Sequence, residues 1–145
     1  MDPPAFIREH RRTGRRAEGE RYERRVHREF YTRYPGYLAS PWFRYVDSEG
    51  EKWCQPDGLL INPWQGQITI VEAKYQHTEK AYSQLFEIYL PVVKVIFGGI
   101  YKLACVEVVK WFDPAILCPS PPQLCKEPDL APAGRFNVHI WRPRA

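Results

Sequence analysis

Three side chains in the middle of the chain could do chemistry together. Asp57 lies in Gln55-Pro56-Asp57-Gly58-Leu59-Leu60-Ile61, and Glu72 and Lys74 lie in Ile68-Thr69-Ile70-Val71-Glu72-Ala73-Lys74. The second segment is an apolar, β-branched run that predicts a strand, and residues two apart on a strand project from the same face. Glu72 and Lys74 are therefore expected side by side. The first segment predicts a neighbouring strand, and the turn Asn62-Pro63-Trp64-Gln65-Gly66 between them is short enough to bring Asp57 near Glu72. Two converging carboxylates repel unless a cation lies between them. A hard divalent ion such as Mg²⁺, with Mn²⁺ as a substitute, suits such all-oxygen donors. That ion would activate water and neutralise charge growing on a phosphate oxygen. Lys74 would orient or deprotonate the attacking water or stabilise the transition state, and desolvation beside a metal lowers a lysine's pKa far enough to open the base role.

The rest of the sequence supplies elements to hold these groups. Tyr22, Val26 and Phe30 recur at four-residue spacing with Arg21, Arg24, Arg25 and Arg28 on other faces, which predicts an amphipathic helix over residues 19–34, ended by Pro35-Gly36. Residues 37–46, 52–61 and 67–73 predict three strands in an antiparallel meander. Apolar residues then return at helical spacing (Ala81, Leu85, Ile88, Tyr89, Val92, Val93, Ile96), predicting a helix over 79–97 that is kinked at Pro91 and stopped by Gly98-Gly99. Residues 100–109 predict a core strand, parallel to the earlier ones because a helix intervenes. The proline-rich stretch 113–134 predicts an irregular loop, and 135–141 a last strand closing an edge. The expected architecture is α/β: one domain over residues 1–145, with a mixed central sheet flanked by helices and residues 1–18 as a basic N-terminal arm.

Pro56-Asp57, a spacer, and Glu72-Ala73-Lys74 behind the apolar run 68–71 resemble the signature of the PD-(D/E)XK phosphodiesterases, the restriction-endonuclease-like nucleases, and in particular their small phage and RecB-like exonuclease branches. The predicted element order over residues 19–109 resembles that family as well: helix, meander carrying the signature, crossover helix, parallel strand. The resemblance implies a Mg²⁺-dependent deoxyribonuclease in which Asp57, Glu72 and the Ala73 main-chain carbonyl hold the metal and Lys74 serves the nucleophile. It also implies an acid from the first helix, Glu23 or, one turn earlier, Glu20. A glutamine after the signature is implied too: Gln84 on the helix, or Gln76, which continued alternation places on the face of Glu72 and Lys74. A degenerate motif of this kind needs its structural context.

The charge is unevenly placed. Residues 1–34 hold ten arginines against six acids, whereas the rest of the chain is balanced at eleven and eleven. Arginine's planar fork suits phosphate, so Arg12, Arg15, Arg16, Arg21, Arg24, Arg25 and Arg28 are expected to bind DNA; the bland reading is a solvated helix face of Glu–Arg pairs. The rival functions are a nucleic-acid-binding module without chemistry and an assembly protein using the basic start, and a homodimer or a larger DNA-processing assembly is compatible with each. Most of the tryptophans are expected in core or rim packing, with Trp64, in the turn beside the signature, the best candidate for base stacking; His77 could touch a phosphate but reads first as an ordinary polar loop histidine. Cys54, Cys105, Cys118 and Cys125 read as reduced thiols, a site of Cys118, Cys125 and His139 being the less favoured alternative. No apolar run reaches the ~20 residues of a membrane span, and the start, Met1 to Phe6, shows no basic region followed by an apolar segment of the secretory-signal kind, so a cytoplasmic protein is expected.

Overall fold

The computed structural model describes residues 16–143. The first helix, α1 (Arg16–Arg33), begins three residues earlier than the periodicity predicts and so takes in the end of the expected arm. Tyr22, Val26 and Phe30 are 3%, 0% and 1% exposed and form its buried stripe against the sheet. Burying side chains of this size stabilises by roughly 1.5–3 kcal/mol each, enough to carry Gly19 in the helix interior. Tyr34 N–H still bonds the Phe30 carbonyl, and Pro35-Gly36 ends the run.

The expected three-stranded meander is built from five strands in two sheets. What reads as one strand over 37–46 is β1 (Tyr37–Ala39) and β2 (Phe43–Asp47), and what reads as one over 52–61 is β3 (Gly50–Cys54) and β4 (Gly58–Asn62). β2 and β3 form a separate two-stranded hairpin, whereas β1 and β4 join the main sheet. The breaks fall at Pro41 and Pro56, which lack an N–H for a ladder. The two breaks brace each other. Ser40, at φ 48°, donates its N–H to the Asp57 carbonyl at 2.8 Å, and Gln55 Nε2 donates to the Ser40 carbonyl at 2.9 Å.

The main sheet is mixed and six-stranded, in the order β1-β4-β5-β6-β8-β7, with β5 (Gln67–Gln76), β6 (Lys102–Trp111), β7 (Gln123–Leu124) and β8 (Phe136–Ile140). β1–β4 and β4–β5 are antiparallel and β5–β6, β6–β8 and β7–β8 parallel, so the crossover has its expected sense. The last long strand does not close the edge. The two-residue β7 does, and it comes from within the stretch read as an irregular loop, which also holds a 3₁₀ turn at Pro128–Leu130. A two-residue strand leaves too little periodicity to read.

The crossover is one helical run in three parts: α2 (Glu79–Ser83), a π-helical segment Gln84–Tyr89, and α3 (Leu90–Phe97). The kink expected at Pro91 is thus a widened turn just before it. Leu90 N–H reaches back to the Leu85 carbonyl, five residues away, at the point where a proline ring would crowd an ordinary α-turn. This run packs on one sheet face with Ile68, Ile70, Cys105 and Val109; α1 packs on the other with Val71, Ala73, Val106 and Val108. Among the described residues no helix is long and apolar enough to cross a membrane.

Gly58 opens β4 beneath the Tyr37 ring, and a Cβ there would lie 2.4 Å from Tyr37 Cε1. Overpacking of this kind costs roughly 1–3 kcal/mol. Gly58→Ala is expected to lower the urea midpoint accordingly without changing the slope; a loss below about 0.5 kcal/mol would show that the Tyr37 contact does not constrain this strand.

Candidate functional site

β4 pairs with β5 only as far as Gly58 opposite Val71, so from Glu72 onward that edge of β5 has no strand beside it. Asp57, the residue before β4, fills the gap: its Oδ2 accepts the Ala73 N–H at 2.7 Å. A strand residue points its N–H and C=O to the same edge, so the Ala73 carbonyl faces the same gap. The alternation seen in the two cores places Glu72 and Lys74 on the crossover face, continuing from Ile68 and Ile70. The structure thus brings Asp57, Glu72, Ala73 and Lys74 together.

Glu72 is 3% exposed, and Lys74 Nζ sits 3.2 Å from its Oε2. Its Oε1 is buried without a hydrogen-bond partner among the described residues. Burial first and the Asp57 charge second push the Glu72 carboxyl well above the usual carboxylate range, against the pull of Lys74. Were Glu72 to ionise, two carboxylates would face one ammonium. The donors facing this gap are all oxygen, from Asp57, Glu72 and the Ala73 carbonyl, and suit a hard divalent ion that keeps several waters. No group of three or more His, Cys, Asp or Glu side chains is gathered for a metal among the described residues, so water would have to complete the shell.

Glu23 is half-buried on α1, the helix on the opposite sheet face, and its charge is the weakest of those raising the Tyr89 phenol, after Glu72 and Asp57. Glu20 lies one turn earlier on the same helix. Gln84 opens the π segment with its Oε1 buried and unpartnered among the described residues, whereas Gln76 is exposed at the end of β5. Arg21, Arg24, Arg25 and Arg28 lie along α1; Arg12 and Arg15 fall outside the described residues, as does the side chain of Arg16.

Two sequence expectations are corrected. Trp64 is 95% exposed, but its turn precedes β5 whereas Glu72 and Lys74 lie toward the far end, roughly 16 Å along a strand at its usual rise. His77 is fully buried and cannot touch a phosphate: its Nδ1 is 2.5 Å from Glu107 Oε1, and its ring packs on Phe112 and Phe136. Cys118 and Cys125 pack with opposite faces of the sheet, Cys118 Sγ lying 3.8 Å from His77 Nε2, so they do not share a site with His139.

Sequence reasoning passed over three contributors. Glu107 pairs in register with Glu72 on the crossover face, fully buried, and burial raises its carboxyl against the opposing pull of His77 and, more weakly, Lys74. An acid inside the apolar run of β6 was the available signal. Tyr89 is buried on the π segment, its phenol pushed up by burial and then by Glu72 and Asp57. His27 and Tyr37 share a hydrogen bond, Tyr37 Oη donates weakly to the Asp57 carbonyl at 3.4 Å, and burial lowers the His27 pKa against the pull of Asp57.

The chain matches no protein-family model, no curated protein and no solved structure.

The raised Glu72 carboxyl sets a pH dependence. Above pH 4.5 an unfolded chain releases this proton while the folded one retains it, so stability falls as pH rises from there to the folded-state pKa. Each unit of elevation corresponds to about 1.4 kcal/mol. The melting temperature of the metal-free protein is expected to drop across this window, and Glu72→Gln to flatten the decline, Glu107 contributing a smaller slope of the same sign. Equal slopes in wild type and variant would mean that Glu72 is not the group held protonated.

Proposed function

We propose that the chain is a Mg²⁺-dependent deoxyribonuclease, with Mn²⁺ able to substitute, built on a restriction-endonuclease-like version of its mixed sheet. The observation that carries this reading is the buried Glu72 Oε1, left without a partner beside a second carboxylate on an open strand edge. A carboxyl so placed keeps its proton or draws a cation to its free oxygen.

Asp57, Glu72 and the Ala73 carbonyl would hold the ion, with Glu23 assisting through water. The bound ion supplies Lewis-acid stabilisation of the phosphoryl oxygens and a more acidic water. Asp57 keeps its place because its main chain is tied to Ser40 and its Oδ2 to Ala73. Lys74, 3.2 Å from Glu72 Oε2, would serve the water or the phosphate. Gln84 presents an amide from the π segment, and the arginines of α1 hold the DNA backbone with little dependence on sequence. A binding module without chemistry would use the same arginines but would gain nothing from the uncompensated carboxyl of Glu72.

Linear, circular, single-stranded and branched DNA incubated with wild type and Lys74→Ala in Mg²⁺, Mn²⁺ or EDTA tests this. Cleavage is expected only with metal and is expected to fall on the order of 100-fold or more in the variant. Mg²⁺ is also expected to raise the melting temperature of wild type at neutral pH but not that of Glu72→Gln. No cutting under any condition, with DNA binding intact in both proteins, would sink the nuclease and favour the binding module.

A further inference from the structure

Between the outer face of α1 and the end of β8 lies an open cleft of about 570 Å³, walled by Arg25, Arg28, Thr32, Arg33, Trp141 and Arg142, with Glu29 as the acid on its wall. A smaller hollow of about 220 Å³ adjoins it, sharing Arg25 and Pro143 and adding Arg21, Tyr75 and Lys110, with Glu18 at its rim. Cations therefore outnumber acids on both walls.

Arg142 is fixed in a way that exposed arginines seldom are. Its Nε donates to the Lys110 carbonyl at 3.1 Å, and its guanidinium lies 4.5 Å from the centroid of the Trp111 ring. Neither contact uses the terminal nitrogens of the fork, which keep their bidentate geometry for an oxyanion. Lys110 Nζ is held near the same ring and that of Tyr75, at 5.6 and 5.4 Å. Lys110 and Arg142 are thus a pair of cations oriented by aromatic platforms, with less side-chain entropy left to lose on binding.

The shape favours a chain of phosphates over a single anion. From Arg21 to Arg33 the helix advances about 18 Å, which is the axial rise of about five phosphates on a duplex strand. The hollow lies at the same end of β5 as Lys74. Tyr75 follows Lys74 on β5 and faces α1, making an edge contact with Tyr22. A strand leaving the hollow would cross the end of the sheet to reach Lys74.

We propose that this cleft is a phosphate clamp for a nucleic-acid strand, in which Arg28 and Arg142 grip the backbone and Trp111 holds Arg142 in position. Its purpose rests on the nuclease reading, but its binding does not. The test is fluorescence anisotropy of a labelled single strand and its duplex with the full chain, in EDTA, across a salt series, all variants carrying Lys74→Ala. Arg28→Ala with Arg142→Ala is expected to weaken binding about tenfold or more and to lower the salt slope by about two. Trp111→Leu should reproduce most of the Arg142→Ala loss, and Arg142→Lys should keep the slope while losing part of the affinity.

Lys102→Ala with Arg135→Ala removes the same charge at the other end of β6 and β8 and should change affinity far less. Matched melting temperatures establish that the variants are folded. Equal losses from the two pairs, or no loss from either, would overturn the clamp. Binding that depends on the clamp in a protein that never cuts DNA would end the nuclease reading and leave the clamp standing.

Discussion

The pairing of β4 with β5 stops at Val71, one residue before Glu72, and the site follows from that early stop. Had β4 continued, the Ala73 N–H and carbonyl would be consumed by the ladder and Glu72 would sit in an ordinary core. Because Pro56 ends the strand, Asp57 turns its side chain into the space a strand would have filled and satisfies the Ala73 N–H itself. The same carboxylate then faces Glu72. One interrupted ladder thus creates the opening, delivers the second acid and fixes both, while the Ser40 N–H bond to the Asp57 carbonyl keeps the interruption from fraying.

The centre of the site was legible because it depends on short-range rules. Glu72 and Lys74 share a face by strand alternation, and a five-residue turn returns Asp57 to them whatever the rest of the chain does. The parallel crossover was legible for a similar reason, since a helix between strands leaves little topological choice. The hairpin was not. Residues 37–61 alternate well enough to read as two strands, and only the prolines at 41 and 56 hint that each divides between two sheets. Tyr89 was read as core, which it is. That its phenol also lies within reach of the Glu72 and Asp57 charges was not legible from periodicity. His77 was misread because its partner, Glu107, lies thirty residues away on another strand.

Charge is sorted by face. The crossover side of β5 and β6 carries buried acids, Glu72 and Glu107, with Lys74 between their influences. The α1 side carries the arginines, and Lys110 and Arg142 extend them across the strand ends on Tyr75 and Trp111. The exposed cations thus gather on one side of the sheet and the two buried acids on the other. The sheet end near Tyr75 is where the two regions come nearest along the chain, because Lys74 and Tyr75 are consecutive residues pointing opposite ways.

Holding Glu72 and Glu107 as register neighbours in a dry interior is unfavourable, and each has a different remedy. Glu107 is satisfied within the protein: one oxygen meets His77 and the other accepts the Thr78 N–H, so this acid fastens the exit of β5 to the start of α2. Glu72 has Lys74 on one oxygen and nothing on the other. A fold that needed only to be stable could place an amide or an aliphatic side chain at position 72, since removing a poorly compensated buried charge is commonly neutral or stabilising. The contrast between two adjacent acids, one saturated and one left open beside Asp57, is therefore better explained by a ligand for Glu72 than by packing. That asymmetry favours the proposed metal site over a purely structural role for Glu72.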